Sequence, residues 1–403
     1  MLGYRRKSFA RAVELLRALT TKPDDLKTLV EFELLLLREI VRAEDHIRRL
    51  KRQANEARRI LRTQRPEKQS ARELKRRGAL LRARIEGYRQ LAYVWRCFGD
   101  GIAFTYLDKH AIKHAYYSTR TVLPKQDAGF VSGKEGLAAE ILVVEDAAAS
   151  GVPSILTDLT NSIRYGDVCL LGGSDPVFIE VKAGGRLGER GQKQLEEIKA
   201  LHGFYQTDAA KGLRGFPELR RQATELPEVG YVPEMNRCIQ EATVTGVGIV
   251  NPEDGLYYVA IYDDHAPIAD LFKQMKLSRP MVYTLNSAKS GRSWAPYTPF
   301  TLTIESAEHL YDFIHGELFI MVIVDIPVLC KGMERPGYDI SWVEGEDYPL
   351  KLKGVGTEDF WGVSQHLLNR IGFEFVSPRW ITDCQQRMID RVTQEIDMEE
   401  TRP

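Results

Sequence analysis

A chain of 403 residues is longer than one ordinary hydrophobic core supports, so two or three domains are expected. Its 56 Lys and Arg balance 56 Asp and Glu, which excludes a global pull toward polyanions and leaves only local clustering to supply one. Five scattered cysteines without a C-x-x-C pair exclude a zinc ribbon or disulfide framework and point to a reducing cytoplasm. The absence of a secretory apolar core after Tyr4-Arg5-Arg6-Lys7, or of any bilayer-length run, points away from membranes.

Residues Phe9 to Leu19 read as a short helix, and Pro23-Asp24-Asp25 opens the next. From Ile40, apolar or small residues recur at Ala43, Ile47, Leu50, Ala54, Ala57 and Leu61, alternating steps of three and four. A second seam runs through Leu74, Gly78, Leu81, Ile85, Tyr88, Ala92 and Trp95 after the break at 63–67, so the spacing predicts an antiparallel helical hairpin. Between Arg38 and Arg96 stand 19 Lys or Arg against 7 Asp or Glu, mostly off the seam. A clamp on nucleic-acid backbone, a dimerisation arm, a protein-partner surface and a merely solvated face all fit that pattern. The segment Phe98 to Leu107 reads as buried. His110 and His114 have the spacing of a helical metal pair, but no third ligand is near, which favours a structural role.

Residues 133–146 read as a helix that stops at Ser150-Gly151, and 191–201 as another. Between them, Tyr165-Gly166-Asp167-Val168-Cys169-Leu170-Leu171 and Val177-Phe178-Ile179-Glu180-Val181-Lys182 read as two strands joined by a Gly-Gly-Ser-Asp turn. Strand alternation sends Glu180 and Lys182 to one face. A turn centred on Gly173-Ser174 puts Asp167 opposite Glu180, with cross-strand partners roughly 5 Å apart. Two carboxylates that close need a cation between them, and hard oxygen ligands suit Mg²⁺ or Mn²⁺. The Glu-x-Lys tripeptide recurs at Glu73 and Glu197, both in helical surroundings, and only the copy at Glu180 lies in a β-branched run.

Over positions 130 to 206 this pattern resembles the PD-(D/E)XK, or restriction-endonuclease-like, nuclease superfamily. The resemblance implies a metal held by Asp167, Glu180, the Val181 carbonyl and a helical Glu, for which Glu140 is the better match and Glu135 the reserve. It implies that Lys182 orients the attacking water or offsets charge on the phosphorane. Gln194, with Gln192 close behind, matches the Gln of the following helix. Gly166 stands where the motif's name has Pro.

Beyond this region, 243–250 and 256–262 read as a β-hairpin that extends the nuclease sheet, and 207–241 as a mostly helical insertion. Ser287 to Trp294 reads as a basic, flexible loop suited to phosphates or base stacking. Leu318 to Val324 reads as a buried strand and Phe360 to Ile371 as a helix. The expected fold is therefore α/β: a restriction-endonuclease-like mixed sheet flanked by helices (99–265), an N-terminal helical hairpin (1–98) and a C-terminal α/β accessory region (266–403). The expected function is that of a cytoplasmic, Mg²⁺-dependent DNA endonuclease of restriction or phage-defence type, acting as a homodimer or higher homo-oligomer because double-strand cutting needs two centres and the arm offers a contact surface. RNA as substrate, and a non-catalytic scaffold that keeps the fold, are the rival readings.

Overall fold

A computed structural model describes residues 5–64, 66–127, 129–181, 189–223, 226–263, 265–356 and 360–400, with residue 190 and residues 395–400 as backbone only. The chain divides into two compact units, Met1–Arg221 with Thr298–Leu302, and Gln222–Tyr297 with Thr303–Pro403.

The first unit is built on three helices, α1 (Arg6–Thr21), α2 (Leu26–Thr63) and α3 (Lys68–Tyr106). The Asp25 side chain caps α2 by accepting from the Thr28 amide at 3.2 Å, satisfying a donor that a helix start leaves open. The expected seam closes the hairpin: Ile47, Leu50, Leu81 and Ile85 form a buried cluster, with Ala54 and Tyr88 against it. At the base of the hairpin the core turns aromatic. Phe9 stacks on Trp95 with centroids 4.3 Å apart, and Phe98 packs on both, so α1 is held against α3 by large buried rings worth about 2 kcal/mol or more each. The stretch expected to be buried continues α3, buried over 98–103 and half-buried over 104–106.

After α4 (Lys109–Tyr116), helix α5 (Leu137–Ala149) leads into a three-stranded antiparallel sheet ordered β1-β2-β3, with β1 Ser154–Leu156, β2 Val168–Leu170 and β3 Val177–Ile179. Helix α6 (Glu189–Thr207) follows. The β2–β3 register pairs Val168 with Ile179, Cys169 with Phe178 and Leu170 with Val177, the alignment that a turn at Gly173-Ser174 dictates. On α6, His202 Nε2 accepts the Phe178 amide at 3.1 Å and its ring stacks on Phe178, so α6 seals the open edge of β3. His110 and His114 lie on α4, where His114 meets Arg214 through Nδ1 and packs edge-on to Phe204.

The expected helical insertion begins instead as a small hairpin of β4 (Ala209–Lys211) and β5 (Glu218–Arg220). Gly212 and Gly215, both at positive φ, turn the chain there, and the next α-helix among the described residues is α7 (Val232–Thr245).

In the second unit, β6 (Val247–Glu253), β7 (Leu256–Ile261), β8 (Pro280–Thr284) and β9 (Phe319–Asp325) form an antiparallel sheet ordered β6-β7-β9-β8. The β6–β7 hairpin therefore does not extend the β1–β3 sheet. It pairs with β9, whose almost uniformly buried Phe-Ile-Met-Val-Ile-Val-Asp run requires cover on both faces and both edges. Met321 and Ile323 join Val259, Ile261 and Met275 in one core layer. A second sheet, β10 (Tyr338–Trp342), β11 (Leu350–Gly354) and β12 (Phe360–Val363), is a meander. Of the expected 360–371 helix, 360–363 is strand β12 and the helix runs Gln365–Phe373, where Ser364 caps its start by accepting from the Leu367 amide. The segment expected as a flexible basic loop is helical over Leu285–Gly291. Lys289 is 4 % exposed and donates to the Phe313 and Ile314 carbonyls, and Trp294 is 2 % exposed, so neither can meet a phosphate or a base.

Candidate functional site

The site starts from a glycine. Gly166 enters β2 at φ +70°, and a Cβ there would lie 2.8 Å from the Ile179 carbonyl oxygen. Proline, with φ fixed near −65°, cannot take this position, so the departure from the motif's name is a backbone requirement. The next amide, Asp167 N, donates to that same Ile179 carbonyl at 2.8 Å, one residue out of the Val168–Ile179 register, so the chain bulges ahead of Val168 and the paired register ends there, short of the expected Asp167–Glu180 pair. Asp167 Oδ2 then accepts the Val181 amide at 2.9 Å, which fixes the carboxylate's direction.

Its other oxygen meets a cation. Lys134 Nζ lies 2.8 Å from Asp167 Oδ1, 2.9 Å from Glu140 Oε1 and 3.1 Å from Asp158 Oδ2. These carboxylates come from α5, from the turn after β1 and from the residue just before β2, so three separate segments converge on one ammonium. The Glu140 side chain is 3 % exposed, whereas Lys134 is 30 % exposed, so the cluster opens to solvent on the lysine's side. Burial works against the charge on Lys134, but the hydrogen bond to Asp167, the field of Asp158 and the hydrogen bond to Glu140 outweigh it and hold the ammonium above its ordinary pKa. Burial raises the pKa of Glu140; Lys134 opposes that, while Asp167 and Asp158 reinforce it. The two upward shifts arise differently: at Lys134 the surrounding carboxylates overcome burial, whereas at Glu140 burial itself leads and the neighbouring carboxylates only add to it.

The helical hairpin anchors this cluster. Arg96 on α3 donates through Nε to the Asp158 carbonyl at 2.9 Å and through Nη2 to Glu44 Oε1 on α2 at 2.7 Å. Glu44 Oε2 accepts the Ser132 amide at 2.8 Å, two residues before Lys134. One Arg–Glu pair therefore positions both the loop that carries Lys134 and the turn that carries Asp158. Gly99 lets α3 approach that turn, since a Cβ would fall 1.9 Å from the Leu159 carbonyl oxygen. Asp100, fully buried, accepts from the Asn161 and Ser162 amides at 2.9 and 2.8 Å and shapes the segment leading to Gly166.

Of the residues singled out in the sequence, Asp167 and Glu140 come together; Glu135, the reserve, is exposed. Glu180 stands at the end of β3, half-buried, and its field acts on Lys125, which donates to Glu197 Oε2 of α6 at 2.9 Å and lies over the Tyr165 ring. Val181 contributes its amide to Asp167. Gln194 is half-buried on α6 and makes no side-chain hydrogen bond among the described residues; Gln192 is exposed. Lys182 lies outside the described residues. The sequence reading missed Asp158, Lys134 and Arg96. Asp158 follows the apolar Ser154-Ile155-Leu156 run, a signal of an acid just past a strand end, but nothing local distinguishes Lys134 or Arg96 from surface cations.

Among the described residues, no group of three or more His, Cys, Asp or Glu is set at metal-holding geometry, and no helix is long and apolar enough to cross a membrane. The donor set itself, three hard oxygen anions with surplus negative charge, has the chemistry of a Mg²⁺ or Mn²⁺ centre, but the position they share is taken by Lys134. Comparison with protein-family models, with curated proteins and with solved structures finds no match.

Proposed function

We propose that this chain is a metal-dependent nuclease that hydrolyses phosphodiester bonds of DNA with a PD-(D/E)XK-type centre. The observation that carries the proposal is the convergence of Glu140, Asp158 and Asp167 on one cation position. The order helix, three-stranded meander, helix around those residues supports it. Asp167, Glu140 and Asp158 would hold the ion, with Glu180 as a further carboxylate. A dication there supplies polarisation of a phosphate oxygen and a bound water of lowered pKa. The protein's own part is positional. Val181 N–H and Arg96 keep two of the carboxylate-bearing segments in place, and Lys134 competes with a dication for the same oxygens. Lys182 remains the proposed water-orienting cation.

The test is digestion of linear and circular DNA, and of RNA in parallel, with Mg²⁺, Mn²⁺ or EDTA. DNA cutting that needs the metal and falls at least about 100-fold in Asp167→Asn is expected. A folded wild-type protein that cuts neither polymer with either metal overturns the proposal. One observation favours the rival, non-catalytic reading: Lys134 already partly neutralises the carboxylates without a metal. Under that reading, nucleic acid is bound but never cut, and Lys182→Ala changes nothing.

A further inference from the structure

We infer that the distal half of the α2/α3 hairpin is a binding arm for the phosphodiester backbone of duplex nucleic acid. This deepens the nuclease reading by saying how substrate is held, yet rests on different observations. From Arg48 to Arg89 the sequence has sixteen Lys or Arg and four Glu. Every one of those cations among the described residues is exposed. Arg48, Arg59 and Arg89 have ion-pair partners, in Asp45, Glu56 and Glu86. In contrast, Arg52, Arg58, Arg62, Arg72, Arg76 and Arg77 form no ion pair among the described residues.

A hairpin with this much uncompensated charge repels itself, so the charge is a cost to the isolated fold. It also repels a second copy. Bringing two such arms together would oppose twelve net positive charges to twelve, and the apolar seam that could offset this is already consumed inside the hairpin. A polyanion is the occupant that removes the cost. The α2 part of the arm, residues 48–64, is about 24 Å long at about 1.5 Å per residue, and duplex DNA carries about 14 phosphate charges over that length. The two charges match in magnitude. The basic row also begins at the candidate site: the Arg48 guanidinium lies against Gly133, the neighbour of Lys134, and Arg48 and Lys51 lie over the Phe130 ring at 5.9 and 5.2 Å. A backbone bound along the arm therefore leads toward the carboxylate cluster.

The test uses the full chain in EDTA, so that binding is read without cleavage. Fluorescence anisotropy follows a 30-base-pair DNA duplex, the matching RNA duplex and polyglutamate, from low to moderate salt. The variant carries Arg58→Gln, Arg62→Gln, Arg72→Gln and Arg76→Gln, all exposed, with circular dichroism confirming the fold. Wild type should bind at least one duplex, and the variant should bind it tenfold or more weaker, with a salt slope flatter by about 0.9 for each DNA phosphate that the missing guanidinium groups no longer neutralise. Comparing the two duplexes tells DNA from RNA, and either supports the inference. A variant that binds within twofold of wild type with an unchanged slope overturns it. So does a wild type that binds polyglutamate but neither duplex, which would assign the arm to an acidic protein. Cleavage can fail while this binding persists, so the two proposals fall separately.

Discussion

Lys134 holds together carboxylates that would otherwise repel one another, and it does so where a dication could replace it. Lys134→Met keeps the length of the side chain and removes the charge. In EDTA the variant should lose about 1–3 kcal/mol, less than the 3–5 kcal/mol typical of a fully buried pair because Lys134 is partly exposed. Mg²⁺ or Mn²⁺ should then raise its melting temperature more than it raises that of wild type, since the competitor is gone. Equal metal effects on the two proteins would mean that these oxygens are not a metal's ligands. Gly166 shows a second kind of single-residue control, in which a positive φ and a close carbonyl, rather than any side chain, place Asp167 just before β2.

Between elements, the Arg96–Glu44 pair joins α3 and α2 to the segments that bring Asp158 and Lys134 in. The Glu44 carboxyl, mostly buried, is pushed up by that burial and pulled down by the Arg96 charge and the Ser132 amide. Arg96→Met leaves it buried without its counter-charge and frees the Asp158 carbonyl. A loss of about 3 kcal/mol in urea unfolding is expected, with Glu44→Gln in the same chain recovering part of it. If the double variant is no better than Arg96→Met alone, the two residues are not coupled and the clamp is misassigned. The hairpin itself shows how one element can carry two instructions. Its seam fixes the antiparallel pairing through Ile47, Leu50, Leu81 and Ile85, and its off-seam positions carry a net charge that plays no part in that packing.

For the molecule as a whole, a buried acid sets the expected pH response. Glu33 of α2 accepts the Leu156 amide at 3.1 Å and so ties the hairpin to β1, while its Oε1 has no hydrogen-bond partner among the described residues. Burial pushes its carboxyl up to about 8, against the Leu156 hydrogen bond. The folded protein keeps a proton that the unfolded chain has released, so this contribution to stability is complete below about 4.5 and is lost as pH rises toward about 8. Stability should fall by on the order of 1 kcal/mol per pH unit across that window, and Glu33→Gln, which stays neutral and can still accept the amide, should flatten the dependence. Urea midpoints at pH 5.5 and 8 measure it; parallel curves for the two proteins would place the titrating group elsewhere.

Local pattern was enough for the hairpin, for the helix, strand, strand, helix order around Asp167, and for the register that pairs Val168 with Ile179. Each depends on spacing along one or two neighbouring segments, and a period of 3.5 or 2 is written in the residues themselves. Chain folding alone decided what stands among the carboxylates. Lys134 lies 33 positions from Asp167 and 24 from Asp158, and Arg96 lies 62 from Asp158, separations at which no periodicity operates. The same holds for the sheet that received the β6–β7 hairpin and for the burial of Lys289, because strand partners and solvent exposure are set by which surfaces the chain brings together, not by the composition of either surface.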